Sequence, residues 1–190
     1  MYKSIILCLF ILCLSVPDPA HAQRHLSGQR GLQVTAGTVG SLNPEKGFYA
    51  GAAFSTYKGN GNHWVLGGEY LEKRHPYGDM TVPQAQMTAE AGYYLNFLSD
   101  GSKTVFFSLG LSALAGYETV NWGDRLLPDG ATVNNGDAFL YGGALTLEVE
   151  IFIADRIILL VNVRERALGG SSAGLLHTQP GIGLKFMLNR

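Results

Sequence analysis

The chain has 190 residues, with 25 glycines, a hydrophobic fraction of 46% and only 15% charged residues. That balance excludes a disordered polymer, a long coiled coil and a charged solenoid. Lys and Arg number 14 against 15 Asp and Glu, a formal net charge of -1, so no global positive excess points to nucleic-acid binding.

The N-terminus reads as an export signal. Lys3 supplies a positive start, Ile5 to Leu14 is apolar throughout, and Ala20-His21-Ala22 before Gln23 has the small-x-small pattern of a signal-peptidase site. As a helix the apolar run spans only about 15 Å of the roughly 30 Å hydrocarbon layer, so cleavage at Gln23 is favoured over a membrane anchor. Lipidation at Cys13 is disfavoured, because Phe10-Ile11-Leu12 lacks the small residues expected before a lipoprotein cysteine. Cys8 and Cys13 both precede Gln23, so the expected mature chain has no disulfide, thiolate ligand or cysteine nucleophile. No later window holds about 18 apolar residues, so a membrane-integral mature chain must cross with strands.

Period-two alternation then recurs along the chain. Leu32 to Val39 is a first strand. Phe48 to Tyr57 is a second, with Phe48, Ala50, Ala52 and Phe54 on one face, and Trp64, Leu66, Gly68 and Tyr70 define a third. From Met80 to Leu98, the face Met87, Ala89, Ala91, Tyr93, Leu95, Phe97 opposes Gln86, Thr88, Glu90, Gly92, Tyr94, Asn96. Thr104 to Thr119 follows, and then Phe139 to Ile151, which sets Leu145, Leu147 and Val149 against Thr146, Glu148 and Glu150. The segment beginning at Ile157 is crowded with β-branched residues and joined to its predecessor by a short link at Ala154-Asp155, which favours a hairpin over a helix. The last strand runs from Leu176 to Leu188, beginning or bending near Pro180 because proline donates nothing to a ladder.

The connections alternate. Lys58 to Asn62, Leu98 to Lys103 and Ile153 to Asp155 are short, whereas Gly40 to Gly47, Arg74 to Thr81, Val120 to Gly136 and Ala167 to Leu175 are longer. This predicts an all-β fold: an eight-stranded antiparallel up-and-down outer-membrane β-barrel with short periplasmic turns and longer outer loops. The expected organisation is a signal peptide over 1–22, a short periplasmic segment over 23–30 and the barrel over 31–190. A soluble exported β protein shares the alternation and stays the alternative; the small, sparsely charged second face argues for the membrane form.

In the membrane form Glu69, Glu90, Glu118, Glu148 and Glu150 point inward with Arg164, Arg166 and Lys185. Buried charges must be paired, so these eight are expected to form an interior polar network, with Glu148 and Glu150 facing Arg164 and Arg166 across their hairpin. Eight strands enclose only enough room for side chains, which favours a plugged scaffold over a wide channel. Tyr49, Trp64, Tyr70, Tyr93, Tyr117, Phe139 and Tyr141 are candidates for interfacial girdles. Asp124, Arg125, Leu126, Leu127 and Asp129 lie in the longest loop and are the proposed partner-contact residues, either as a surface site or as an inward cap; a loop without a partner is the plain alternative.

Catalytic signals are weak. His25, His63, His75 and His177 are scattered without a close ligand pair, so no metal is expected, and no glycine run makes a phosphate loop, so no cofactor is expected. Ser171 and Ser172 lie near His177 and Glu165, but a glycine-rich turn accounts for Gly169 to Gly174 better than a nucleophile does. Arg24, His25 and Arg30 are too few for nucleic-acid binding.

Several segments carry a family resemblance: Gln29-Arg30-Gly31-Leu32-Gln33-Val34, Thr88-Ala89-Glu90-Ala91-Gly92-Tyr93-Tyr94, Ala115-Gly116-Tyr117-Glu118-Thr119-Val120-Asn121 with Asp129-Gly130-Ala131, and Pro180-Gly181-Ile182-Gly183-Leu184-Lys185-Phe186. Over essentially the whole mature chain the sequence resembles the conjugative-transposon TraO family of Bacteroides-like bacteria. The resemblance implies a non-enzymatic outer-membrane or envelope component of the conjugal DNA-transfer apparatus, a type IV secretion-like assembly. It implies other Tra envelope proteins and outer-membrane lipid as partners, with no direct nucleic-acid contact and no small-molecule substrate. It supplies no active-site residues. An independent porin, adhesin-like barrel or envelope enzyme is the alternative.

Overall fold

A computed structural model describes residues 25–188 except positions 42, 79, 125, 128, 129, 133–136 and 173. The expected signal segment, its cleavage position, Arg24, Arg125 and Asp129 lie outside the described residues. Eight strands follow one another as β1 (Arg30–Thr38), β2 (Gly47–Gly59), β3 (Asn62–Tyr77), β4 (Met80–Ser99), β5 (Val105–Val120), β6 (Ala138–Ala154), β7 (Ile157–Gly169) and β8 (Leu176–Met187). Each pairs antiparallel with the next, and β1 pairs with β8 from Gly31↔Met187 to Gly37↔Gly181, so the sheet closes on itself. Among the described residues no helix is long and apolar enough to cross a membrane.

Alternation decides which side chains go where. In β4 the residues Met87, Ala89, Ala91, Leu95 and Phe97 are exposed, whereas Gln86, Thr88, Glu90, Gly92 and Tyr94 are buried. The same rule turns Phe139, Leu145 and Ile182 outward, each more than half exposed, and Leu140, Thr146 and Lys185 inward. Tyr49 departs from the girdle expectation: it is buried, and its hydroxyl donates to Asn162 Oδ1 at 3.2 Å. Gly181 makes room for it, since a Cβ there would lie 1.8 Å from the Tyr49 hydroxyl. Trp64, Tyr117, Phe139 and Tyr141 are exposed on the outer face.

One end of the sheet carries the start of β1, the end of β8 and the connections 60–61, 100–104 and 155–156. Each of those hairpins has a register shift beside it, at Tyr57/Gly59, Asn96/Leu98 and Phe152/Ala154. Asp100 organises the middle connection by accepting from the Thr104 and Val105 amides at 2.7 and 2.8 Å and from the Ser102 hydroxyl. Burial would raise its pKa, but those donors outweigh burial and hold the carboxyl below its ordinary value.

The opposite end differs from expectation in one place. Arg74 to Thr81 is not a long loop: β3 and β4 continue through Arg74↔Pro83, His75↔Val82, Pro76↔Thr81 and Tyr77↔Met80, leaving only 78–79 between them. The strands thus make a projecting two-stranded arm. Its prolines are tolerated because the arm's residues 74–77 are exposed, where a missing ladder donor costs little. Pro180 sits inside β8 for a related reason: the β1 ladder ends at Gly37↔Gly181, so no β1 carbonyl awaits its amide.

Candidate functional site

The chemistry-bearing side chains are collected inside the barrel, in three tiers. Each inward position of a strand holds one layer, and closure brings strands distant in sequence across a lumen only a few side chains wide.

The tier at the short-turn end is aromatic and charged together. Tyr57, Phe106, Phe152, Ile158, Leu160 and Met187 form a buried apolar cluster. Beside it the Lys185 ammonium donates to Glu150 Oε1 and to the Tyr57 hydroxyl at 3.1 Å, and lies 3.6 Å from Glu148 Oε1. Tyr57 donates to Glu150 Oε1 at 2.6 Å. The segment ahead of β1 contributes too: residues 25–29 turn back, with the Gly28 amide donating to Tyr57 O, and the His25 ring stacks on Tyr57 at 4.1 Å with an interplanar angle of 14°.

The middle tier is an arginine and glutamate lattice. Arg166 Nη1 donates to Glu69 Oε1 at 2.7 Å and its Nη2 to Thr88 Oγ1 at 3.0 Å. Arg164 reaches Glu69 Oε2 at 3.1 Å and Glu90 Oε2 at 3.0 Å. Gln179 Nε2 adds a 2.8 Å bond to Glu69 Oε1, and Ser112 Oγ donates to Glu90 Oε1 at 2.6 Å. A void of about 10 Å³ beside Gln33, Glu69, Glu90 and Arg164 holds at most one water.

The outer tier closes the far mouth. Glu118 accepts from Gln86 Nε2 at 2.7 Å, Ser171 Oγ at 2.8 Å, the Ser172 amide at 2.9 Å and Ser172 Oγ at 2.5 Å. The loop between β7 and β8 is thereby folded inward. His177 Nε2 donates to Gly174 O at 3.0 Å, which leaves Nδ1 to accept from Lys73 Nζ at 2.6 Å. Leu127 of the longest loop is buried, whereas Leu126 is 70% exposed and Asp124 is exposed. Leu127 and Ser172 help line a cavity of about 400 Å³ at this mouth, with Gln84 and His75.

All eight residues of the expected network point into the lumen, but the pairing differs from the sequence expectation. Glu148 and Glu150 do not meet Arg164 and Arg166. The hairpin register sets Glu148 opposite Asn162 and Glu150 opposite Leu160, while Arg164 and Arg166 stand opposite Thr146 and Ala144, farther along the barrel. The arginines find their carboxylates across the lumen on β3 and β4. The serines face Glu118, while Glu165 points outward and accepts from Thr178 Oγ1 at 2.6 Å, so Glu165 is not brought to Ser171 and Ser172. His63 and His25 are both buried at the short-turn end; the place of His63 next to outward Trp64 marks it as inward, whereas His25 lies outside the alternation and its place in the lumen has no signal in the sequence.

With the geometry established, the chain can be set beside known proteins. The family model described as "Conjugative transposon protein TraO" matches residues 26–188. The comparison with curated proteins finds no match. Among solved structures the chain is similar to Neisserial surface protein A, with 16% identity and a TM-score of 0.57 over 84% of this chain and 97% of that one. It also matches the N-terminal β-barrel domain of Pseudomonas aeruginosa OprF, with 9% identity and a TM-score of 0.47 over 84% of this chain and 98% of that one. The first of these likenesses shows a shared fold.

Proposed function

The chain belongs to the conjugative-transposon TraO family, and from that premise we propose an outer-membrane barrel with a filled lumen, serving as a non-enzymatic structural or interaction component of a conjugative transfer apparatus. The observation that carries the membrane placement is the outer face. Outward positions from Trp64 to Tyr70, Met87 to Phe97, Val105 to Tyr117, Phe139 to Ile153, Ile157 to Val163 and Ile182 to Leu188 hold no charged residue, and most of the large apolar ones are exposed. Such a belt in water would far exceed the few hundred Å² that soluble monomers expose, whereas lipid satisfies it. Even β1, the shortest strand at 9 residues, meets the length a tilted membrane strand requires.

In this reading the short-turn end faces the periplasm, and the arm and longer loops face outward. Contact with other Tra envelope proteins falls to the surfaces outside lipid, including Asp124 and Leu126. Ion pairs and the inward loop fill the lumen, so neither DNA nor solutes pass. Purified protein in a planar bilayer is expected to show no steady single-channel conductance; a large, stable open level would defeat the filled-lumen reading.

A second reading is an independent small barrel, adhesin-like, porin or envelope enzyme. It draws support from Neisserial surface protein A, whose fold this chain shares and whose name describes a surface protein and not a transfer component. Gene deletion with a mating assay separates the two. The transfer role predicts a loss of mating of at least about tenfold, restored by the intact gene, and capture of Tra proteins from envelope extracts; undiminished mating would favour the second reading.

A further inference from the structure

The arm formed by the ends of β3 and β4 has two bare margins. Among the described residues the β2 ladder stops at Gly47↔Lys73 and the β5 ladder at Gln84↔Val120, while β3 and β4 stay paired as far as Tyr77↔Met80. A bare margin offers alternating N–H and C=O groups, a template on which another strand adds. If the barrel sits in a membrane as proposed above, copies carry their arms on one side and at one height, so like margins meet often.

The pairing fixes where each backbone group points. The Arg74 amide donates to Lys46 O at 3.0 Å, so Arg74 directs its polar groups to the β2 side. Direction alternates along a strand, so His75 and Tyr77 direct theirs to β4 and Pro76 directs its own to the β2 side. Pro76 is the next position after Arg74 on that margin, and it has no N–H to offer.

The same reasoning covers the other margin. Pro83 is the partner of Arg74, and Thr81 is the partner of Pro76. Residues opposite each other in an antiparallel pair either both bond to one another or both point away, so Pro83 and Thr81 direct their groups to the β5 side. Pro83 is the first position beyond Gln84↔Val120. There the chain after β5 leaves the ladder: Asn121 and Trp122 have φ of 51° and 55°, and Asn121 O accepts from the Asp124 amide at 3.0 Å.

Of the four margin positions, Arg74 is already bonded, Pro76 and Pro83 cannot donate, and only Thr81 has an N–H left to give. Both prolines spare the ladder inside the arm and interrupt the margin outside it. We propose that Pro76 and Pro83 close the arm to strand addition, so that a second copy of this chain does not join it arm to arm. The margins carry this protection whether or not the protein takes part in DNA transfer.

The test uses the chain from Gln23 onward, folded in detergent, with its state of association measured by sedimentation. Wild type is expected to remain a single copy. Pro76→Thr combined with Pro83→Thr restores both donors with a residue suited to strands, and is expected to assemble into dimers or longer forms at least about tenfold more tightly than wild type. Thr81→Cys locates the contact, because both natural cysteines, Cys8 and Cys13, precede Gln23. Copies joined along the β4 margin bring two such thiols within disulfide reach, so cross-linking is expected at least about tenfold faster in the double variant than in an otherwise wild-type chain. Pro76→Thr and Pro83→Thr made singly decide by the same criterion if the double variant does not fold. Folded variants that stay as monomeric as wild type overturn the proposal, and so does cross-linking through Thr81→Cys that is equally fast with both prolines in place.

Discussion

Lys185→Met is expected to destabilise the folded protein by about 3–5 kcal/mol, read as a shift of urea unfolding in lipid vesicles. Lys185 is fully buried and is the only ammonium near Glu148 and Glu150 among the described residues. Methionine fills much of the same volume, so the loss isolates charge from packing. Two buried carboxylates are left facing each other with only Tyr57 and the two histidines for company. Adding Glu148→Gln and Glu150→Gln should restore most of the stability, because an amide tolerates burial better than an unpaired carboxylate. A shift under about 1 kcal/mol for Lys185→Met alone, or no recovery in the triple variant, would show that the lysine is not the counterion that holds this tier.

Glu69→Ala should cost a similar amount, again about 3–5 kcal/mol, for the opposite charge. Glu69 accepts from Arg164, Arg166 and Gln179, and it is the only acid in ion-pair range of Arg166 among the described residues. Its removal leaves Arg166, fully buried, with Thr88 Oγ1 as its remaining hydrogen-bond acceptor there. Glu165→Ala supplies the control. That carboxylate is on the outer side, with an exposed hydrogen bond to Thr178, and its loss is expected to cost no more than about 1 kcal/mol. Equal effects at 69 and 165 would show that the lumen lattice contributes nothing special.

Much of this architecture is legible in the sequence because the sheet has a period of two and one face is nearly charge-free. Each strand declares its own inward set, and so Glu69, Glu90, Glu118, Glu148, Glu150, Arg164, Arg166 and Lys185 can be placed inside without knowing their neighbours. Who meets whom is another matter. The expectation that Glu148 and Glu150 face Arg164 and Arg166 took adjacency in a hairpin as the deciding factor. In a closed narrow barrel a long side chain on β7 reaches β3 and β4 across the lumen as readily as its own hairpin partner. Register, and not proximity in the chain, gives Glu69 to the arginines and Glu150 to Lys185. The arm differs from the expected loop because Arg74 to Thr81 lies between two alternating segments without an alternation of its own, while the ladder between β3 and β4 runs on through it. His25 was missed because a plug residue outside the alternation has no periodicity to betray it.

The pairing of the first strand with the last has a consequence for how the molecule comes into being. Gly31 cannot find Met187 until β8 has been made, so every earlier intermediate bears two raw margins of unsatisfied amides and carbonyls. Closure of the barrel must therefore be a single late event. Shortening the tail by even one β-segment would leave a gutter in place of a cylinder.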